Sequence, residues 1–584
     1  LLRPGTGALR LCSVSHRLLS MTTPSQSKRW TILRRCLLCV AIFLTVIAAF
    51  YTEESWRGKR AWENCKRALE AKGLKMDWVE EIPAPVPDEQ NILAVPEMQK
   101  WFFGNGATGL LEVMEDVYDV GDSNRPSTRI VVADVVIGPQ GAIPPSGFTA
   151  LSYGDSQAKA EVSRLINDAV GPYFIDPWSI IRMLRRPEEI QPAKILLQCQ
   201  TAPTAKELEQ FLPNEQIEPA GNGSYQVTRQ ASRTVAELLA RFAVLEPQFT
   251  VMRQALQRPY VRTLGDYQDP KAHPTLAGFG AVARTLAALA QCHLLQGQPE
   301  EALRDLTLSQ DLCRVLEGLQ RNRRDLVVIL VHETVTAIDI GVIADGLRRH
   351  AWREPQLAAF QEQFQKINFV SDFKQVMLAG PARVSDFYPN ATALDLGEIY
   401  LRVLLPIESN KPDAWTSLKA IFVGHLIPRG WVYQNMVQLA NGYQTIGESS
   451  DSSGQRVFPK KVDAVAIMAK SHPSPYNYLA RISDPTHSKR CRDTAKIQTE
   501  VNEALIACAL ERYRLARNAF PETLDALVPQ FLAQVPPDLI GGQPLHYRRA
   551  DNGKFLLYSV GWNEKDDGGK PGSDDDWVWD DAAR

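Results

Sequence analysis

Between Arg34-Arg35 and Glu53-Glu54 the chain reads CLLCVAIFLTVIAAFY, from Cys36 to Tyr51, with no charge. An uncharged apolar helix crosses a bilayer, is removed as a signal peptide, or is buried in a core, and a core helix has little reason to begin directly after two arginines. About 16 residues is near the short end for a span, which needs roughly 20, and slightly exceeds a signal-peptide core. Cleavage after Ala48 or Ala49 would put Val46 or Ile47 where a small residue is wanted. An uncleaved single-pass anchor over 36–51 is therefore expected. Charge does not orient it, because Arg57, Lys59, Arg60, Lys66 and Arg67 offset Lys28, Arg29, Arg34 and Arg35. Long domains translocate largely regardless of charge, which favours a cytoplasmic N-terminus and an extracytoplasmic bulk at the inner membrane. Met21 is a better start than Leu1, so residues 1–20 read as upstream translation or an unstructured extension, and 1–35 as a disordered arm.

The chain has 584 residues, enough for two to four domains. A net charge of -2 with 23% charged residues leaves no basic surface field to imply nucleic acid as a partner. The cysteines are scattered. Cys36 and Cys39 form a C-x-x-C, but inside the apolar segment, with no strand-to-helix redox context. A lipoprotein reading of Cys39 fails on Leu38, where a small residue belongs.

Beyond the segment, Trp62, Cys65 and Leu69 share one helical face, which predicts a juxtamembrane amphipathic helix. Pro83, Pro85 and Pro87 then form a stiff linker, completing a 52–91 region. Over 92–224 the signals are mixed: the β-branched run from Arg129 to Ile137 and Lys194-Ile-Leu-Leu197 read as strands, with Pro139, Pro144 and Pro145 in loops. Gly104-Asn105-Gly106 and Gly541-Gly542 read as turns. From 225 to 493 helix follows helix. Ala281 to Leu295, a Gln296-Gly297-Gln298 break and a helix opened by Pro299-Glu300-Glu301 form its clearest part. Leu326 to Ile343 is strongly apolar, yet Asp325, His332, Glu333 and Asp339 argue against a span. Pro428 to Asn435 reads as irregular and Gly447 to Gly454 as a surface loop. A last module, 494–584, places Val501, Leu505 and Cys508 on one face, continuing to Arg512 or Tyr513. The expected fold is mainly α, a helical bundle or irregular α-solenoid, with a small α/β segment after the anchor and a small α+β C-terminal module.

Catalytic motifs are scarce. His332-Glu333 begins an H-E-x-x-H pattern, but Thr336 stands where the second histidine belongs, so there is no zinc helix. No nucleophile elbow or glycine-rich phosphate loop is present.

Two resemblances add expectations. Leu286, Leu289 and Ala290, Gly297, then Ala302 and Leu306 resemble one tetratricopeptide-type hairpin, with no clear copy at the 34-residue period. The C-terminal ninety or so residues resemble the end of type II secretion major pseudopilins. The shared features are Tyr513-Arg514-Leu515, Phe520-Pro521, Leu527-Val528, Pro537-Asp538, Gly542 to Tyr547, Phe555 to Gly561 and an acidic loop ending Asp575-Asp576-Trp577. That family's loop binds calcium, which implies Asn563, Asp574, Asp575 and Asp576 as ligands here, with the Val560 carbonyl and Asp566 or Asp567 as further donors. The pilin peptidase site is missing and most of the chain intervenes, so a pilus subunit is not implied. The order of anchor, proline linker, helical middle and acidic end is similar to a family of uncharacterised bacterial membrane-anchored proteins, which carries no activity. The functional expectation is an envelope-anchored interaction or scaffold protein, bound to lipid through one helix and to a protein or peptide through its helical domain. Two alternatives stand beside it: a hydrolase with a site assembled from distant residues, and an accessory of a type II secretion-like apparatus.

Overall fold

The structure, a computed structural model, describes residues 26–77, 84–103, 235–264, 272–404, 414–470, 474–550, 554–570 and 576–579, together with five strands between 129 and 229. Residues 1–25, Pro83, Gly104 to Gly106, Pro139, Pro144, Pro145, Asp574 and Asp575 lie outside the described residues. Helix α1 runs Gln26–Ala71 without interruption. From Leu33 to Phe50 every side chain is exposed, and this stretch is long and apolar enough to cross a membrane. The pattern changes at Glu54: Glu54, Gly58, Trp62 and Leu69, on one face at four- and seven-residue spacing, are buried. Two expectations are corrected. Residues 26–35 are helical rather than part of a disordered arm. The juxtamembrane helix is the same helix as the apolar one, because between Phe50 and Gly58 no proline interrupts the hydrogen-bond ladder.

The chain divides into two compact units, Leu1–Cys65 with Ala391–Gln434, and Lys66–Asn390 with Asn435–Arg584. In the larger unit, helix α2 (Pro96–Phe102) is followed by strands β1 (Arg129–Ile137), β2 (Thr149–Ser152), β3 (Ala193–Cys199), β4 (Glu215–Gly221) and β5 (Ser224–Arg229). They form one antiparallel sheet in the order β2-β1-β3-β5-β4. Both strands expected from β-branched runs are present, and β5 extends past residue 224, the expected end of this segment.

Helices α3 (Val235–Phe242) and α4 (Glu246–Ala255) then pack with α2 around Phe102 and Phe279, whose rings stack at 4.3 Å. Asn91 stitches the end of the proline linker to this layer, its amide donating to the Arg262 carbonyl and accepting from the Arg262 N–H. Helices α5 (Ala277–Leu295) and α6 (Pro299–Arg323) form the expected hairpin, with Gly297 at φ +72° and proline in the first turn of α6. Leu286, Ala290, Ala302 and Leu306 are all buried. Helix α7 (Leu326–Arg348) follows, mostly buried, so the second apolar stretch is a core helix. Helices α8 (Glu354–Phe364) and α9 (Phe369–Asn390) complete this half.

The smaller unit adds α10 (Ala393–Leu404), α11 (Ala414–Leu426) and the start of α12 (Arg429–Gly447). Pro428 to Asn435, expected to be irregular, instead leads into this helix: the proline sits just before the first turn, where its missing N–H costs nothing. Helix α12 ends at Gly447, and Ser449 and Ser450 are buried, so the expected surface loop begins only at Asp451.

The larger unit resumes with α13 (Pro459–Lys470) and α14 (Tyr478–Arg517). A three-stranded antiparallel sheet closes the chain, β6 (His546–Arg549), β7 (Phe555–Ser559) and β8 (Trp577–Trp579) in that order. Helix α14 passes straight through Thr494, the expected start of a separate module. A single apolar core joins α5, α7, α8, α9, α13 and α14 to Leu557, Trp577 and Trp579 of the C-terminal sheet and to Trp562 in the turn after β7. The whole is a mainly helical fold with a small α+β end.

Candidate binding cleft and buried polar core

The larger unit carries an open cleft of about 340 Å³. Its walls are the end of α8, the turn into α9, the loop at Gly454-Gln455, one face of α14 and the segment from Ala533 to Leu539. Six carboxamides line it, Gln365, Asn368, Gln455, Gln498, Asn502 and Gln534, beside Phe364, Leu505, Pro536 and Pro537. No titratable side chain does.

Two of the six hold the frame. Gln498 accepts from the Phe369 N–H at 2.8 Å and its amide donates to Asn502 Oδ1 at 3.2 Å. Asn368 accepts from the Ser371 N–H at 2.9 Å and donates to the Ser453 carbonyl at 2.9 Å. Both serve N–H groups of the first turn of α9, which have no partner within the helix. The loop fits only because residue 454 is glycine: φ is +69°, and a Cβ there would lie 2.7 Å from Asn368 Oδ1. Asp451 ties the loop down, accepting from the Gln455 N–H and the Ser453 hydroxyl. Gln365 and Gln534 are exposed at the rim.

Groups with displaced proton affinities lie elsewhere: Asp372 on α9, Asp484 and His487 on α14, and a row along α7. Burial pushes the Glu333 carboxyl up to about 7, against the opposing pull of the Thr494 hydroxyl at 2.5 Å and Arg490 at 2.7 Å. Burial drives His332 down to about 4, and its ring stands edge-on to Phe369 at 4.8 Å. Asp339, fully enclosed, is raised to about 8 by burial, with Gln310 donating to it at 2.7 Å. His332, Thr336 and Asp339 are i, i+4 and i+7 on the buried face, so this is a neutral polar seam in a helical core.

At the C-terminal end, Asp576 is buried and accepts from the N–H groups of Asp567 and Gly569. Asp567 in turn accepts from the Asn563 amide at 2.8 Å. Asp566 accepts from the Gly568 N–H at 2.9 Å and the Tyr558 hydroxyl at 3.0 Å, and these bonds, the Gly568 N–H above all, hold its carboxyl below the usual range. The Val560 N–H donates to Asp538, which also accepts from Ser559 Oγ and the Ile540 N–H. The structure therefore brings Asn563, Asp566, Asp567 and Asp576 together, with N–H and O–H donors on the three carboxylates. Among the described residues no three His, Cys, Asp or Glu side chains are placed to share a metal ion.

Sequence reasoning missed the cleft, because glutamine and asparagine form no motif and the lining comes from four separated segments. It named Asp538 only within a resemblance, without the role this residue has in organising the C-terminal turn. Fold and site together define a mainly helical protein with an exposed apolar N-terminal helix and an uncharged, carboxamide-lined cleft. Comparison with protein-family models, with curated proteins and with solved structures gave no match.

Proposed function

We propose that the protein is an envelope-anchored binding module, held in the inner membrane by the apolar part of α1, with the bulk of the chain outside the cytoplasm. Its cleft takes an extended, uncharged peptide segment of a partner protein. The observation that carries this reading is the cleft lining, six carboxamides beside apolar and proline surface with no acid, base or nucleophile. Carboxamides offer paired donors and acceptors, which match a peptide main chain, and the apolar walls suit its side chains. A hydrolase would need titratable groups converging on the opening, and none lines this cleft.

The test pans a displayed library of neutral extended peptides against the full chain and measures each enriched peptide against Asn502→Leu and Gln534→Leu. Asn502 supports the start of α9 only through Gln498, and thermal unfolding of the double variant beside the parent checks that the fold is retained. Binding weakens by at least about tenfold in the double variant, the loss expected for two buried hydrogen bonds. Enriched peptides whose affinity ignores both changes would sink the proposal.

A further inference from the structure

The α10–α11 hairpin of the smaller unit is built inside out for water. A surface helix normally hides its large apolar side chains and shows polar ones. Helix α11 does the reverse. Its buried residues are the small Ala420 and Gly424, while Leu418, Ile421, Phe422 and Leu426 stand exposed, Phe422 at 66%. Residues 418 and 422 lie roughly 200° round the helix from 420 and 424, so the exposed stripe is opposite the face turned to α10.

That face is packed backbone to backbone. A Cβ on Gly397 would lie 1.7 Å from the Ala420 carbonyl oxygen, and one on Gly424 would lie 1.7 Å from that of Ala393. Small residues at the helix contact with large apolar ones outside is the arrangement of helices whose surroundings are lipid. Two polar side chains share the exposed face: Lys419 at its border, long enough to carry its charge clear of an apolar surface, and His425 within it, its Nδ1 2.8 Å from the Ile421 carbonyl oxygen.

The hairpin is also level with the end of the apolar run of α1. The Tyr51 hydroxyl donates to the Leu426 carbonyl at 2.7 Å. One turn beyond, α1 and α12 cross so closely that a Cβ on Gly430 would lie 1.9 Å from the Glu54 carbonyl oxygen, and one on Gly58 would lie 2.3 Å from that of Gly430. The apolar side chains of α1 from Leu33 to Phe50 remain exposed, so the hairpin leaves the anchor at its end instead of packing along it.

We propose that the hairpin is a second membrane contact: α11 lies in the bilayer interface beside the anchor, with Leu418, Ile421, Phe422 and Leu426 against lipid acyl chains. The occupant is lipid because the stripe ends at Leu426, which is hydrogen-bonded to Tyr51 where the exposed apolar run of α1 ends. This inference rests on the anchor reading of α1.

The test places photoreactive benzoylphenylalanine at Phe422, Leu418, Phe43 or Glu362 of the full chain. Each protein is reconstituted in phosphatidylcholine–phosphatidylglycerol vesicles, and lipid adducts are counted by mass spectrometry. Phe43 reports the anchor and Glu362, on α8, reports exposed surface. The expected result is adduct formation at both 418 and 422 at least about tenfold above that at 362. Labelling at 43 with 418 and 422 no higher than 362, or with adducts to a second copy of the chain, overturns the hairpin proposal alone. No labelling at 43 overturns the anchor reading and this inference with it.

Discussion

Asp339 has a carboxyl with no room for a charge. Burial raises it to about 8, far above an unfolded aspartate near 3.9, so the folded state holds the proton more tightly. Its contribution to stability is complete below about pH 4 and is lost as the pH rises through about 8. Asp339→Asn keeps the shape without the proton. Its melting temperature should exceed that of the parent at pH 9, match it near pH 4, and fall less between the two. Thermal unfolding across that range checks this, and parallel curves would count against a buried titrating carboxyl. The same seam shows what was legible one residue at a time. Thr336 in the second-histidine position excluded a zinc helix, and the structure puts Thr336 in the core beside a neutral His332. Burial of Glu333 and Asp339 was not legible, because an acid in a helix is ordinarily read as surface and only the packing of α14 and α6 encloses these two.

Among elements, those with both periodicity and punctuation were readable. The α5–α6 hairpin had alanines at four-residue spacing, Gly297 at the turn and Pro299 at the restart, and β1 and β3 had β-branched runs. The start of α12 was unreadable for a physical reason. Pro428 and Gly430 look like turn residues, yet the proline precedes the helix and the glycine is there for the crossing with α1 at Gly58. Glycines that serve an approach rather than a turn lead to a sharp expectation. Gly424→Val forces α11 off α10, since its Cβ would meet the Ala393 carbonyl. It should destabilise the hairpin by about 1–3 kcal/mol, the usual cost of overpacking, and raise amide exchange in α10 and α11 while leaving α5 and α6 unchanged. Unchanged exchange in α10 would contradict the close packing.

At the scale of the molecule, the apolar N-terminal helix and the mainly helical body followed from hydrophobic patterning alone, whereas the domain limits did not. Thr494 looked like a boundary because a recognisable C-terminal pattern begins there. Core formation ignores it: Val501, Leu505 and Cys508 of α14 share one cluster with Phe360, Phe369 and Trp577. The C-terminal sheet should therefore open with the helices and not before them. Native-state exchange should give Leu557 in β7 and Ala507 in α14 opening free energies within about 1 kcal/mol of each other, and early release of β7 would reinstate an independent module. The uninterrupted helix from Gln26 to Ala71 has a mechanical consequence. Past Tyr51 it continues for roughly 30 Å at 1.5 Å per residue. On the proposed anchoring there is no swivel where the chain leaves the bilayer, only a rod. A change in bilayer thickness that tilts the span is then carried outward by a stiff lever, and a lipid environment becomes a force felt at Trp62.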